Sequence, residues 1–134
     1  MPVPEGVRLA REWLDYARQD LSAAEIASSD RRFEPRHVGW HAQQAAEKAI
    51  KAVLVLQQIG FPFIHDLETL RELVPASYEI RRADLRLDPL SEWAVEHRYP
   101  GDPSASEADA DQAVALAARV LELVERDFDR EAAG

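Results

Sequence analysis

The segment between Pro35 and Gly60 limits the possible folds of this chain more than any other. Val38, Ala42, Ala45, Ala49, Ala52 and Leu56 recur there every three or four residues. At about 100° of rotation per residue, these positions fall within about one third of a helix circumference. Most of them are alanines, so a neighbouring helix can approach closely. Pro35 stands where a first helical turn tolerates proline, and Gly60 where a helix closes, which predicts one long helix between them. His41, Gln44, Lys48 and Lys51 form a polar stripe along one side of this core face. Ile50 and Leu54 lie nearly opposite it as a second apolar strip. Contact with a second copy of the chain would cover that strip, as would packing inside the monomer.

The rest of the chain carries the same period. Ala10, Trp13, Leu14, Ala17, Leu21 and Ala24 predict an amphipathic helix from Val7 to about Ser28. A short helix follows over "DLETLREL", with Leu67, Leu70 and Val74 inward, Asp66 and Glu68 near its positive end, and Pro75 after it. Asp88 before Pro89 predicts a fourth helix through "PLSEWAVEH", stopped by Pro100 and Gly101. Ser106 caps a last helix whose stripe runs from Ala110 to Phe128, with fraying expected over "DREAAG". No segment alternates as a strand does. Ala, Leu, Glu and Arg dominate, so the expected class is all-α: an up-and-down bundle of four to five helices. At 134 residues the chain suits one domain, residues 1–134, with its core between about 7 and 128.

Composition also narrows function. There is no cysteine, hence no disulfide framework or thiolate chemistry. No apolar run is long enough to cross a membrane, and "MPVPEGVRLA" lacks the regions of a signal peptide, so a soluble, cytoplasmic protein is expected. A formal charge of −9 disfavours general nucleic-acid binding, which depends on phosphate neutralisation by Lys and Arg. Contact with RNA would need a local basic patch. Arg31, Arg32, Arg36 and His37 form one cluster, and Arg81, Arg82 and Arg86 another.

Two spacings in the long central helix could carry chemistry. Arg36 and His41 match a loose Arg-x4-His pattern, yet five helical steps place them about 140° apart. His37 and His41, at i and i+4, have the spacing of a two-imidazole metal site. No acid lies between them, and only Glu34 with His37 matches the Glu-x-x-His pair of carboxylate di-metal bundles, across Pro35. A metal-binding bundle is therefore a lesser alternative, and no metal or cofactor is expected. Glu47 and Lys51 have the spacing of a surface helix salt pair. His65 before "DL" is placed to cap the third helix.

"HAQQAAEKAIKA", "IHDLETL" and "RYPG", in that order, with "ARQDLSAAE" before them, resemble the HEPN-domain family. This is a family of small helical proteins found beside minimal nucleotidyltransferases. The resemblance covers about Ala10 to Phe128. It implies a bundle of four or five helices, a homodimer, and a toxin–antitoxin-like pairing with a nucleotidyltransferase. Many members are metal-independent ribonucleases built on Arg, four to six residues, then His-x-Tyr at a dimer cleft, and in some pairs the partner adenylylates the tyrosine. Here His97, Arg98 and Tyr99 match His-x-Tyr, but Leu90, Ser91 and Glu92 occupy the positions of the arginine. The resemblance thus implies an interaction module that pairs with a nucleotidyltransferase and binds nucleotide or RNA, with Tyr99, Lys48, Gln44 and His41 as the binding or modification residues. The alternative is a ribonuclease with His97 as base and Arg98 as the cation.

Overall fold

The computed structural model describes residues 4–30, 32–94 and 106–133. Its elements are α1 (Glu5–Ser28), α2 (Pro35–Leu56), α3 (Leu67–Glu72), α4 (Glu79–Arg82), α5 (Asp88–Ser91) continued by a 3-10 turn (Glu92–Ala94), and α6 (Glu107–Ala133). No strand occurs among the described residues, and no described helix is long and apolar enough to cross a membrane.

The three long helices form the bundle, and their directions follow from their contacts. Asp20 of α1 meets Lys48 of α2, while Trp13 meets Lys51, so α2 runs antiparallel to α1. Arg18 pairs with Glu125 of α6, and Ala27 and Ser28 lie beside Glu107 and Ala110, so α6 also opposes α1. Ala10, Leu14, Ala17 and Ala24 face inward from α1, and Ala113, Ala117, Val120 and Val124 from α6.

Helix α2 is covered on both of its apolar strips, while its polar stripe and its first turns reach solvent. Ala42, Ala45, Ala49 and Ala52 are fully buried as expected, and so are Ile50 and Leu54 on the opposite strip. The short helices and α6 cover that strip within one chain, at about 1.5–3 kcal/mol per large apolar side chain. It therefore carries no argument for a second copy. Gly39 is required by close approach, because a Cβ there would overlap the indole of buried Trp93.

Helix ends depart from expectation in several places. Helix α2 stops at Leu56, four residues before Gly60, and the left-handed residue is Gln58, at φ 57°. The Ile59 N–H donates to the Leu54 carbonyl at 2.8 Å, closing the helix with glutamine where glycine is usual. Helix α3 is capped by Asp66, not His65: the Asp66 carboxylate accepts from the Glu68 N–H at 3.3 Å and from the Thr69 hydroxyl at 2.7 Å. Asp88 lies inside the first turn of α5 rather than at its cap, and the helix tightens after Ser91. Ser106 does cap α6, accepting from the Asp109 N–H at 3.1 Å. That helix continues through the segment expected to fray, aided by the Arg130–Asp127 pair.

Candidate functional site

The polar stripe of α2 divides into two clusters with different surroundings. On the side facing α1, Asp20 accepts a hydrogen bond from Lys48 Nζ at 2.6 Å and lies 3.4 Å from His41 Nδ1. Gln44 donates to the Gln43 side-chain oxygen at 2.8 Å. His41, Gln44 and Lys48 are thus brought together, and the residue that gathers the two basic groups is Asp20. All three remain partly open to solvent.

Next to Lys48, the groove between the helices is lined by Leu9, Glu12, Trp13 and Tyr16 and encloses about 420 Å³. Leu9 and Tyr16 are 44% and 57% exposed, large values for side chains of this size. On a helix they share one face with Trp13 and Asp20, since spacings of three, four and seven return to the same side. Trp40, 42% exposed, precedes Gln44 by one turn and extends the surface along α2. The apolar and aromatic groove of α1 thus borders the polar cluster at Lys48, and Trp40 stands against the His41 ring of that cluster.

The second cluster is buried. Glu47 and Lys51 join at 3.0 Å with side chains only 6% and 9% exposed, so they are not a surface pair. Glu47 also accepts from Gln43 Nε2 at 3.0 Å and contacts His65 Nδ1 at 2.7 Å. Gln43 Nε2 donates further to the His65 carbonyl at 3.2 Å, and Lys51 Nζ lies over the rings of Phe61 and Trp13 at 5.3 and 5.9 Å. Burial acts to raise the Glu47 pKa, but the hydrogen bonds from Gln43, His65 and Lys51, with the Lys51 charge, outweigh it and hold the carboxyl below its usual range. The cluster fastens the loop after α2 to the bundle.

The other candidates from sequence do not converge. Arg36 donates to Glu34 at 2.7 Å, away from His41. His37 meets the Phe33 ring and His41 the Trp40 ring, so the two imidazoles are engaged separately. Among the described residues no group of three or more His, Asp or Glu could hold a metal ion. His97, Arg98 and Tyr99 lie outside the described residues. Upstream of them, Leu90 is buried and Ser91 Oγ accepts from the Leu67 N–H at 3.0 Å, so both have packing roles where an arginine was sought.

Asp20, Gln43 and the exposed Leu9 and Tyr16 were missed from sequence. One signal was available. Lys48 and Lys51 are the only lysines in the chain, both on one helix that packs into the core, and each therefore requires a carboxylate.

The family model described as the HEPN domain matches residues 10–127. The crystal structure of ST0689, an archaeal HEPN homologue, is similar at a TM-score of 0.62 and 24% identity, covering 89% of this chain and 97% of that chain. At that identity the likeness is one of fold. No match was found among curated proteins.

Proposed function

The chain belongs to the HEPN-domain family, and on that premise we propose that it is a homodimeric interaction module which docks a minimal nucleotidyltransferase through the seam between α1 and α2. The pair would act in the cytoplasm as a toxin–antitoxin-like system. Nucleotide or RNA would be held beside the seam by His41, Gln44 and Lys48, and Tyr99 would be the residue open to adenylylation.

The observation that carries this reading is the groove of Leu9, Glu12, Trp13 and Tyr16. A helix face with Leu9 and Tyr16 exposed beside the partly buried Trp13 has the composition of an interface centre, where aromatic side chains dominate binding energy. The polar cluster fits recognition better than catalysis. Asp20 already neutralises Lys48 and orients His41, which leaves no unpaired cation there to stabilise a phosphorane. The ribonuclease reading also lacks its arginine at Leu90 and Ser91.

The test is co-expression with a nucleotidyltransferase encoded in the adjacent gene. Wild-type protein should co-purify with it, and Tyr16→Glu should abolish the complex while leaving the helical spectrum unchanged. Full recovery of the complex with Leu9→Glu/Tyr16→Glu would exclude the seam as the docking surface. RNA cleavage in EDTA that disappears in His97→Ala would replace the module with the ribonuclease.

A further inference from the structure

A separate cleft opens on the side of α1 away from the seam, between α1 and α6, and the end of α2 contributes to its floor. It encloses about 490 Å³, within the range of cavities that take small molecules. The floor is apolar: Leu14 and Phe128 are buried, and Val7 and Leu56 are partly buried. At about 100° per residue, Val7, Arg11, Leu14, Asp15 and Arg18 fall within about 100° of one another on α1. Leu9, Trp13 and Tyr16 centre on the opposite side of that helix, so the cleft and the seam do not overlap.

One end of the cleft is electrostatically complete. Arg18 spans it, donating to Glu125 at 2.8 Å and to Asp15 at 2.9 Å. Because α6 opposes α1, moving from this bridge toward the start of α1 corresponds to moving toward the end of α6. About two turns along α1 bring Arg11, and one to two turns along α6 bring Asp129 and Glu131. These groups line the cleft from opposite walls with opposite charge. Arg11 and Asp129 nevertheless have no hydrogen-bond or ion-pair partner among the described residues, so they do not reach each other. Glu131 borders the buried Tyr78 hydroxyl, which leaves Asp129 as the free acceptor, and Arg130 is committed to Asp127 at 3.0 Å. The carbonyl end of α2, at Leu56 and Gln57, adds partial negative charge that favours an ammonium group. A simple anion would meet Asp15, Glu125, Asp129 and Glu131, and a simple cation would meet Arg11. A zwitterion answers both walls.

We propose that the α1–α6 cleft binds a free apolar α-amino acid, with its carboxylate on Arg11, its ammonium on Asp129 and its side chain on the floor of Leu14, Leu56 and Phe128. A guanidinium takes a carboxylate through two parallel N–H donors, each bond about 2.7–2.9 Å long. An α-amino acid carries its two charges on adjacent carbons, so it bridges walls that stand too far apart to pair directly. The floor offers a polar side chain no partner, which favours leucine or phenylalanine over aspartate. The proposal is independent of the docking reading.

The experiment is an NMR titration of the isotope-labelled full chain with L-leucine, L-phenylalanine and L-aspartate. Two leucine analogues accompany them: isocaproate, which lacks the ammonium, and isopentylamine, which lacks the carboxylate. L-Leucine should shift amides at Val7, Leu56 and Phe128, and each single-charge analogue should bind at least about tenfold more weakly, having lost one charged hydrogen-bonding group. Arg11→Gln should lower leucine affinity toward that of isopentylamine and leave isopentylamine unchanged. Asp129→Asn should lower it toward that of isocaproate and leave isocaproate unchanged. Thermal melting of both variants should match the wild type, because neither side chain holds a contact in the fold. The proposal is overturned by the absence of shifts up to about 10 mM L-leucine and L-phenylalanine, or by shifts confined to other parts of the bundle. Equal binding of leucine and its analogues, a preference for aspartate, or undiminished binding in the variants overturns it as well.

Discussion

Replacing Glu47 by alanine removes the acceptor at the centre of the buried cluster, and its cost can be worked from the contacts. Lys51, only 9% exposed, loses its partner at 3.0 Å, and Gln43 and His65 lose theirs at 3.0 and 2.7 Å. Breaking a buried ion pair by deleting one partner costs about 3–5 kcal/mol, because the other charge is left desolvated and unpaired. Cation–π contacts with Phe61 and Trp13 still shelter the ammonium, so the lower end is expected, about 3 kcal/mol. For a domain of this length that corresponds to a fall in Tm of about 10 °C. Glu47→Gln keeps the shape and should cost about 1.5–3 kcal/mol, the worth of a charged hydrogen bond. Adding Lys51→Met to Glu47→Ala should recover much of the loss by removing the stranded charge. The assay is urea unfolding of wild type, Glu47→Ala, Lys51→Met and Glu47→Ala/Lys51→Met as a double-mutant cycle, with Glu47→Gln measured beside them. A Glu47→Ala cost below about 1 kcal/mol, or additive single effects, would refute the argument that Lys51 depends on Glu47. The pH dependence has a fixed sign. The folded pKa of Glu47 lies below its unfolded value, so its contribution is present above the ordinary carboxylate range and is lost as pH falls through the folded pKa. Wild-type stability should therefore fall more steeply on acidification than that of Glu47→Gln.

Further outcomes follow from other contacts. Gln58→Gly should raise stability by about 0.5–1 kcal/mol in urea unfolding, because the left-handed backbone at φ 57° has no steric cost for glycine; a loss would show that the Gln58 side chain is needed. Gly39→Ala should cost at least about 1–3 kcal/mol through overlap with Trp93, and Trp93→Leu should partly rescue it. Asp127→Ala strands the Glu79 and Ile80 N–H groups, and hydrogen exchange should show both amides losing protection while α1 keeps its own.

What could be read from the sequence and what could not divides along contact range. Helices α1, α2 and α6 were legible because their apolar periods are local and repeat over many turns. Helix α4 was not, because its two free N–H groups are capped by Asp127, 48 residues away for Glu79. Glu47 and Lys51 read as a surface pair because i,i+4 spacing does not reveal which face is covered. Their burial comes from the loop that brings Phe61 and His65 over α2. Ile50 and Leu54 similarly left a second copy and packing inside the monomer both open, because the wheel shows an apolar strip but not the short helices that cover it. Within the candidate site, His41, Gln44 and Lys48 were legible as one stripe. Asp20 was not, since pairing it with them requires the register of α1 against α2. The Arg81, Arg82 and Arg86 cluster was visible, but Arg119 and Arg126 meet Arg82 only through the packing of α4 on α6.

The claim that the α1–α2 seam receives the nucleotidyltransferase is tested most directly by photo-crosslinking from within it. A benzophenone amino acid placed at Tyr16 should crosslink to the co-expressed nucleotidyltransferase, while the same probe at Leu73, an exposed apolar position on α3's C-terminal side, should not. Crosslinking from Leu73 with none from Tyr16 would contradict the account.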